Sequence, residues 1–191
     1  MKIKYNSPVI LTFTFISVAV QALATFLPFV REFFISEPSF GSFLNPLSYF
    51  KLFSHIAGHG SWEHLTGNFS FILLIGPILE EKYGSKKLLG MILLTAFATS
   101  ILNMFLFGDR FLGASGIVFM LIILSSVSNV KDGSIPLTFI LITLLYVGTE
   151  ILNSFNPDNV SQFGHIFGGI CGGIFGFLFG TEKGTEEKHI V

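Results

Sequence analysis

Six apolar segments follow one another along the chain, at residues 8–30, 62–79, 88–107, 115–130, 135–152 and 160–179. Most approach the roughly 20 residues that an α-helix needs to cross the hydrocarbon core of a bilayer. Backbone polar groups placed in lipid must be satisfied within the segment itself, which leaves helices as the workable local structure. Turn-forming residues interrupt the pattern at Tyr83-Gly84-Ser85, Gly108-Asp109-Arg110, Lys131-Asp132-Gly133 and Asn156-Pro157-Asp158. Charged residues make up 12% of the chain and hydrophobic residues 51%. A soluble domain would carry about twice that charged fraction. The expected fold is all-α: a polytopic membrane protein forming a bundle of six transmembrane helices, one domain over residues 1–191 with a short charged tail at about 181–191. A net charge of −1 gives no reason to expect a nucleic-acid partner. The lone Cys171 excludes an intrachain disulfide and a cysteine metal site.

The connection at residues 31–61 is long and punctuated by Pro38, Gly41, Pro46, Gly58 and Gly60. It is too rich in phenylalanine for a free linker, so it is read as a membrane-associated first loop with short helices in the interface. Lys2, Lys4 and Ala22-Leu23-Ala24 also resemble a secretory signal with its cleavage site. The apolar run continues through Phe26 to Val30, however, as a retained span would. With the N-terminus in the cytoplasm, Lys2, Lys4, Lys82, Lys86, Lys87, Lys131, Lys183 and Lys188 fall inside, against Arg31, Lys51 and Arg110 outside. That is the expected direction of bias. An even number of spans returns the C-terminus to the cytoplasm.

This topology brings four polar residues to one depth. His64 and Asn68 lie early in the second span, Ser115 opens the fourth and His165 lies early in the sixth. Since even-numbered spans all run from outside to inside, the four converge near the outer face. Polar side chains are costly in lipid, so such a convergence suggests chemistry. Ser115, between Gly113-Ala114 and Gly116, has free helix-terminal N–H groups beside its hydroxyl, which can hold a developing oxyanion. The fourth segment has 16 residues, or roughly 24 Å of helix against a ~30 Å core. It is therefore expected to be central, with a wet pit above Ser115.

After His165, glycines at 168, 169, 172, 173 and 176 mark one helical face. Such a face permits close helix approach and could be a packing seam alone, or could carry His165 toward Ser115. His64 and Asn68, four residues apart, share a face and are good donors, although polar cross-helix packing would also explain them. His55, His59 and His64 raise the possibility of zinc. The glycines around His59 interrupt the helix that a three-histidine site would need, and no His-Glu-x-x-His pattern is present. His59 is read instead as a structural hydrogen-bonder tying the loop to the second span.

Gly113-Ala114-Ser115-Gly116 resembles the Gly-x-Ser-Gly motif of rhomboid intramembrane serine proteases. His59-x4-His64-x3-Asn68 resembles their second-span signature, and His165-x2-Gly168 their last-span signature. The resemblance spans nearly the whole chain and corresponds to the minimal prokaryotic form. It implies Ser115 as nucleophile, His165 as base, and His64, Asn68 and the Ser115 N–H as the oxyanion hole. His59, Gly113, Gly116, Phe119 and Gly168 would be structural neighbours of the site, and neither metal nor cofactor is implied. Phe50-Lys51 stands where the family often has Trp-Arg, and Phe119 where it often has a tyrosine stacked on the base.

The implied activity is cleavage of single-span transmembrane substrates near the outer face of a prokaryotic plasma membrane, in contact with the lipid bilayer. Small or helix-breaking residues at the cut would ease local unwinding, and the fifth span would serve as gate. The alternatives are an inactive rhomboid-like client binder, which would lack the serine or histidine, and a small transporter, which would need ionisable residues along a pathway through the membrane.

Overall fold

The structure, a computed structural model, describes residues 4–37, 44–127 and 162–180, with positions 137, 140, 141, 144 and 145 in addition. Helix α1 (Pro8–Phe26) opens on a proline, which is preorganised for a first helical turn and has no N–H to leave unpaired. It stops at Leu27 (φ −129°, ψ 82°), because Pro28 disfavours helical backbone in the residue before it. The first apolar run therefore breaks earlier than expected, and Pro28–Phe34 winds into a 3-10 helix. In the first loop, α2 (Pro46–Ser54) is capped by Asn45, whose side chain accepts from the Leu47 N–H at 3.0 Å. It passes into a 3-10 turn, His55–Ala57. Short helices were expected in this loop.

Helix α3 (Trp62–Tyr83) begins at Ser61 and continues past the apolar run to Gly84, whose φ of +80° ends it. Helix α4 (Ser85–Leu106) follows at once. Helix α5 (Ser115–Val127) and helix α6 (Gln162–Phe179) complete the described elements. The fifth segment lies outside the described residues except for Leu137, Ile140, Leu141, Leu144 and Leu145, which are helical and exposed. Phe139 and the charged tail, like residues 128–130 of the fourth segment, also lie outside them. Among the described residues the only extended pairing is an isolated antiparallel bridge between Ser36 and Phe111.

The bundle is apolar on both sides. Met120 and Leu124 of α5 are fully buried, and Ile117 and Leu121 nearly so, which places this helix at the centre. Phe15, Phe26, Leu74, Ile78, Leu94 and Phe177 are exposed on the outer helices. So much outward apolar surface marks a lipid environment. By length and composition α1 and α4 can each cross a bilayer, while α5 and Phe163–Phe179 are apolar but shorter.

Two contacts assemble the helices. Helix α6 lies against α5 backbone to backbone: a Cβ on Gly168 would overlap the Gly116 carbonyl, and one on Gly172 the Met120 carbonyl. At Gly176 it would lie 2.6 Å from Val127. Gly169 and Gly173 are at ordinary contact distance from Ile123, so the tight seam is narrower than the run of glycines suggests. At the other end, buried Glu80 accepts from the first-turn N–H groups of Val9 and Ile10, each at 3.0 Å, and from Ser85 Oγ at 2.7 Å. Ile10 fits over Gly76, where a Cβ would lie 2.5 Å from Ile10 Cδ1. A carboxylate at a helix N-terminus satisfies orphan donors and complements the helix dipole, so Glu80 locks α1 onto α3.

Gly172→Val should lower the stability of the detergent-solubilised protein by at least about 1–3 kcal/mol, because backbone cannot move aside for the new methyls. A melting curve matching wild type would show that the seam is slack. Glu80→Gln should cost about 1.5–3 kcal/mol, the range for hydrogen bonds to a charged group, measured by the same melt.

Candidate active site

Ser115 is the first residue of α5, where helix geometry leaves backbone N–H groups without intrahelical partners. The turn into it passes through Gly113 at φ +126°, a region that side chains with a Cβ rarely adopt. Gly113 is also needed for space, since a Cβ there would lie 2.7 Å from His64 Cε1, 2.9 Å from His64 Nε2 and 3.9 Å from Asn68 Nδ2. His64 and Asn68, one turn apart on α3, thus both face the Gly113–Ser115 turn. Asn68 is buried, and its Nδ2 meets no hydrogen-bond acceptor among the described residues. An unmet buried amide donor is costly, and that cost is usual at sites where charge develops. Ser61 sets the start of α3 by accepting from the His64 N–H at 3.1 Å.

His165 reaches the same place from α6. It follows Gly164, whose carbonyl lies 3.1 Å from the position a Gly116 Cβ would occupy. Ser115 and His165 are therefore the chain neighbours of two residues, Gly116 and Gly164, at which the helices meet. The His165 ring, buried in the bundle, stacks on Phe119 with centroids 4.5 Å apart and planes 6° from parallel. Phe119 lies one turn after Ser115, so the ring that faces the imidazole is retained here without the tyrosine hydroxyl.

His59 is fully engaged by protein. Its Nδ1 lies 3.4 Å from the Ala57 carbonyl, and its Nε2 accepts from the Ala114 N–H at 3.4 Å. A carbonyl can only accept, so Nδ1 carries the proton and Nε2 is the acceptor. His59 thus holds the residue directly before Ser115, and its ring meets His64 edge-on at 5.0 Å. His59 is a hydrogen-bonder, as expected, but its bond runs to the residue before α5, whereas it meets the second span, α3, through ring contact with His64. His55, weighed in the sequence only as part of a three-histidine zinc site, accepts from the Gly113 N–H through its carbonyl at 2.9 Å. Its ring packs on Phe111 at 4.7 Å, and its Nδ1 lies 3.3 Å from both Ser100 Oγ and the Lys51 carbonyl. The His55 carbonyl and the Ser36–Phe111 bridge are supports that no sequence pattern marks, because each works through backbone atoms, whereas Ser61 caps α3 through its hydroxyl. Among the described residues no group of three or more His, Cys, Asp or Glu is placed to hold a metal.

The two departures from the family pattern in the first loop have structural answers. Phe50 meets Phe34 edge-on at 6.0 Å, and Lys51 Nζ lies 3.9 Å from Glu37. The loop is therefore packed by aromatic rings and closed by charge.

In an apolar helical bundle, His64 and Asn68 of α3 thus face the turn that opens α5 at Ser115, and His165 of α6 stacks on Phe119 one turn further on. The model of the rhomboid domain matches residues 46–182, more than two thirds of the chain. A search of curated proteins finds no match. The chain belongs to the rhomboid family, integral membrane proteins that are generally intramembrane serine proteases.

Burial lowers the His55 pKa to about 4, and burial aided by the neighbouring His64 ring lowers that of His59 to about 4. Both are neutral in the folded protein at pH values where the unfolded chain, titrating near 6.5, already takes up protons. Between those limits the unfolded state binds more protons, so stability falls as pH drops from about 6.5 to about 4. The melting temperature should follow that window. His59→Gln, which cannot titrate but can still accept from Ala114, should show a shallower fall, and a slope equal to wild type would remove His59 from the explanation.

Proposed function

We propose that the chain is an intramembrane serine endopeptidase working with a Ser115–His165 dyad. The observation that carries this reading is the unmet Asn68 donor beside His64, both against Gly113 at the N-terminus of the helix that Ser115 opens. In this reading His165 takes the proton of Ser115 Oγ as the oxygen attacks a substrate carbonyl. The oxyanion is held by the Ser115 N–H, the His64 ring and Asn68 Nδ2. His165 then returns the proton to the leaving amine, and water, activated by the same histidine, releases the acyl group. Phe119 keeps the imidazole plane in place throughout. This chemistry requires no cofactor.

The protein would cross the bilayer six times with both termini in the cytoplasm, in a prokaryotic plasma membrane. The lysine bias and the shared depth of the four residues support this orientation, with the site opening to the outer face. Single-span substrates would be cut near their outer end. Residues that form helix poorly, Gly and Pro by about 1 and 3 kcal/mol relative to Ala, would lower the cost of unwinding there. The proposed gate, the fifth span, lies mostly outside the described residues.

Purified wild-type protein should cleave single-span substrates and react with a fluorophosphonate probe, and Ser115→Ala and His165→Ala should do neither. Turnover by Ser115→Ala equal to wild type would refute the serine mechanism, and a wild-type protein that binds substrates uncut would be an inactive client binder. His64→Ala or Asn68→Ala should lower kcat on the order of 10²–10³ with little change in KM, since the charge they hold exists only in the transition state.

A further inference from the structure

Residues 107–114 connect α4 to Ser115, and the structure ties this connection down almost residue by residue. Asn103 Nδ2 donates to the Asp109 carbonyl at 2.7 Å. Phe111 exchanges both backbone hydrogen bonds with Ser36, at 2.9 and 3.1 Å. Leu112 lies against Gly58, Gly113 donates to the His55 carbonyl and Ala114 to the His59 ring. Phe107 and Gly108 donate to the Asn103 carbonyl at 2.9 and 2.7 Å, which leaves Arg110, held by its side chain. Its guanidinium donates to Glu32 at 2.6 Å and also pairs with Glu37, which in turn lies 3.9 Å from Lys51.

The placement of these charges follows from the bridge. In an antiparallel pair, the residue before one bridged position faces the residue after the other. Arg110 precedes Phe111 and Glu37 follows Ser36, so their ion pair is the cross-strand neighbour of the Ser36–Phe111 bridge. Glu32, from the 3-10 helix after α1, engages the guanidinium as well. Two carboxylates on a planar fork fix both the distance and the orientation of the Arg110 side chain. The stretch 32–37 thus meets the distant Arg110 on the segment that leads into Ser115.

We propose that Arg110 is a positioning residue for Ser115: by clamping the Phe111 bridge to the first loop through Glu32 and Glu37, it fixes the Gly113–Ser115 turn in the register that His64 and Asn68 face. This inference rests on the serine-protease reading above. Arg110 touches none of the proposed reacting groups, so its effect falls on their alignment. A misplaced turn weakens the hold on the transition state while leaving substrate binding nearly intact. The side chains of Arg110 and Glu32 are more than half exposed, which makes the clamp modest in strength and open to screening by salt.

The experiment uses the full-length protein in detergent, well below its melting temperature. Arg110→Met should lower kcat about three- to tenfold at low salt with KM changed by less than about twofold. Glu32→Gln/Glu37→Gln should match it, and combining all three should cost no more than either set alone, the signature of a shared interaction. Wild-type kcat should decline toward that of the variants as salt rises from about 0.05 to 1 M, whereas the variants should respond little. Charge exchange, Arg110→Glu with Glu32→Arg and Glu37→Arg, should restore part of the loss. Hydrogen exchange at the Gly113 and Ala114 amides should speed up in Arg110→Met, a readout that needs no activity. Wild-type kcat and unchanged exchange in Arg110→Met would overturn the inference, as would additive losses. An inactive wild type would instead refute the protease reading, leaving the exchange measurement to decide the clamp.

Discussion

The structure depends on two helices meeting without side chains between them. Gly168 and Gly172 let α6 lie on the backbone of α5 at Gly116 and Met120. In lipid there is little hydrophobic drive to hold helices together, so close van der Waals contact supplies the attraction. This contact sets the distance between the segments that carry Ser115 and His165. Helix α5 is enclosed by the other helices, and His64 and Asn68 of α3 reach the turn at its start.

The start of α5 is a second constraint, and it is met by different means. The Gly113 turn has a backbone conformation and a clearance that a Cβ would spoil. Such a turn does not hold itself. Its N–H groups are taken up by the His55 carbonyl and by His59 Nε2, both from the first loop. That loop is in turn fixed by Ser100 of α4, by Phe34 against Phe50, and by the charges around Arg110. The first loop is therefore part of the machinery that places the serine, which accounts for its apolar composition and for two deeply buried histidines kept neutral.

Much of this organisation was legible in the chain. Hydrophobic segment length pointed to the helices, and Gly84 and Pro28 carry the punctuation that ends two of them. The apolar run continues past Pro28 to Val30, but pre-proline sterics end α1 at Leu27. The second apolar run ends at Leu79, but α3 continues through Glu80, Glu81 and Lys82 to Tyr83, where the Tyr83-Gly84-Ser85 turn signal lies. Glu80 in fact turns inward to cap α1, so its charge is satisfied by another helix's amides. Alternate spans sharing a direction suggest a convergence of His64, Asn68, Ser115 and His165, and the structure sets His64 and Asn68 against Gly113 and His165 on Phe119.

By itself the sequence determined the class, helices in a membrane, and the residues able to do chemistry, because hydrophobic periodicity, glycine spacing and residue type are local properties. It also determined that Phe119 offers a ring near Ser115, as the two are one helical turn apart. Tertiary structure decided which ring faces His165, which of the glycines form the tight seam, and which tautomer His59 adopts. It alone revealed the pairing of Arg110 with Glu32 and Glu37, 78 and 73 residues away in the chain. Such contacts depend on how distant backbone segments are brought side by side, and no local pattern in the sequence encodes that placement.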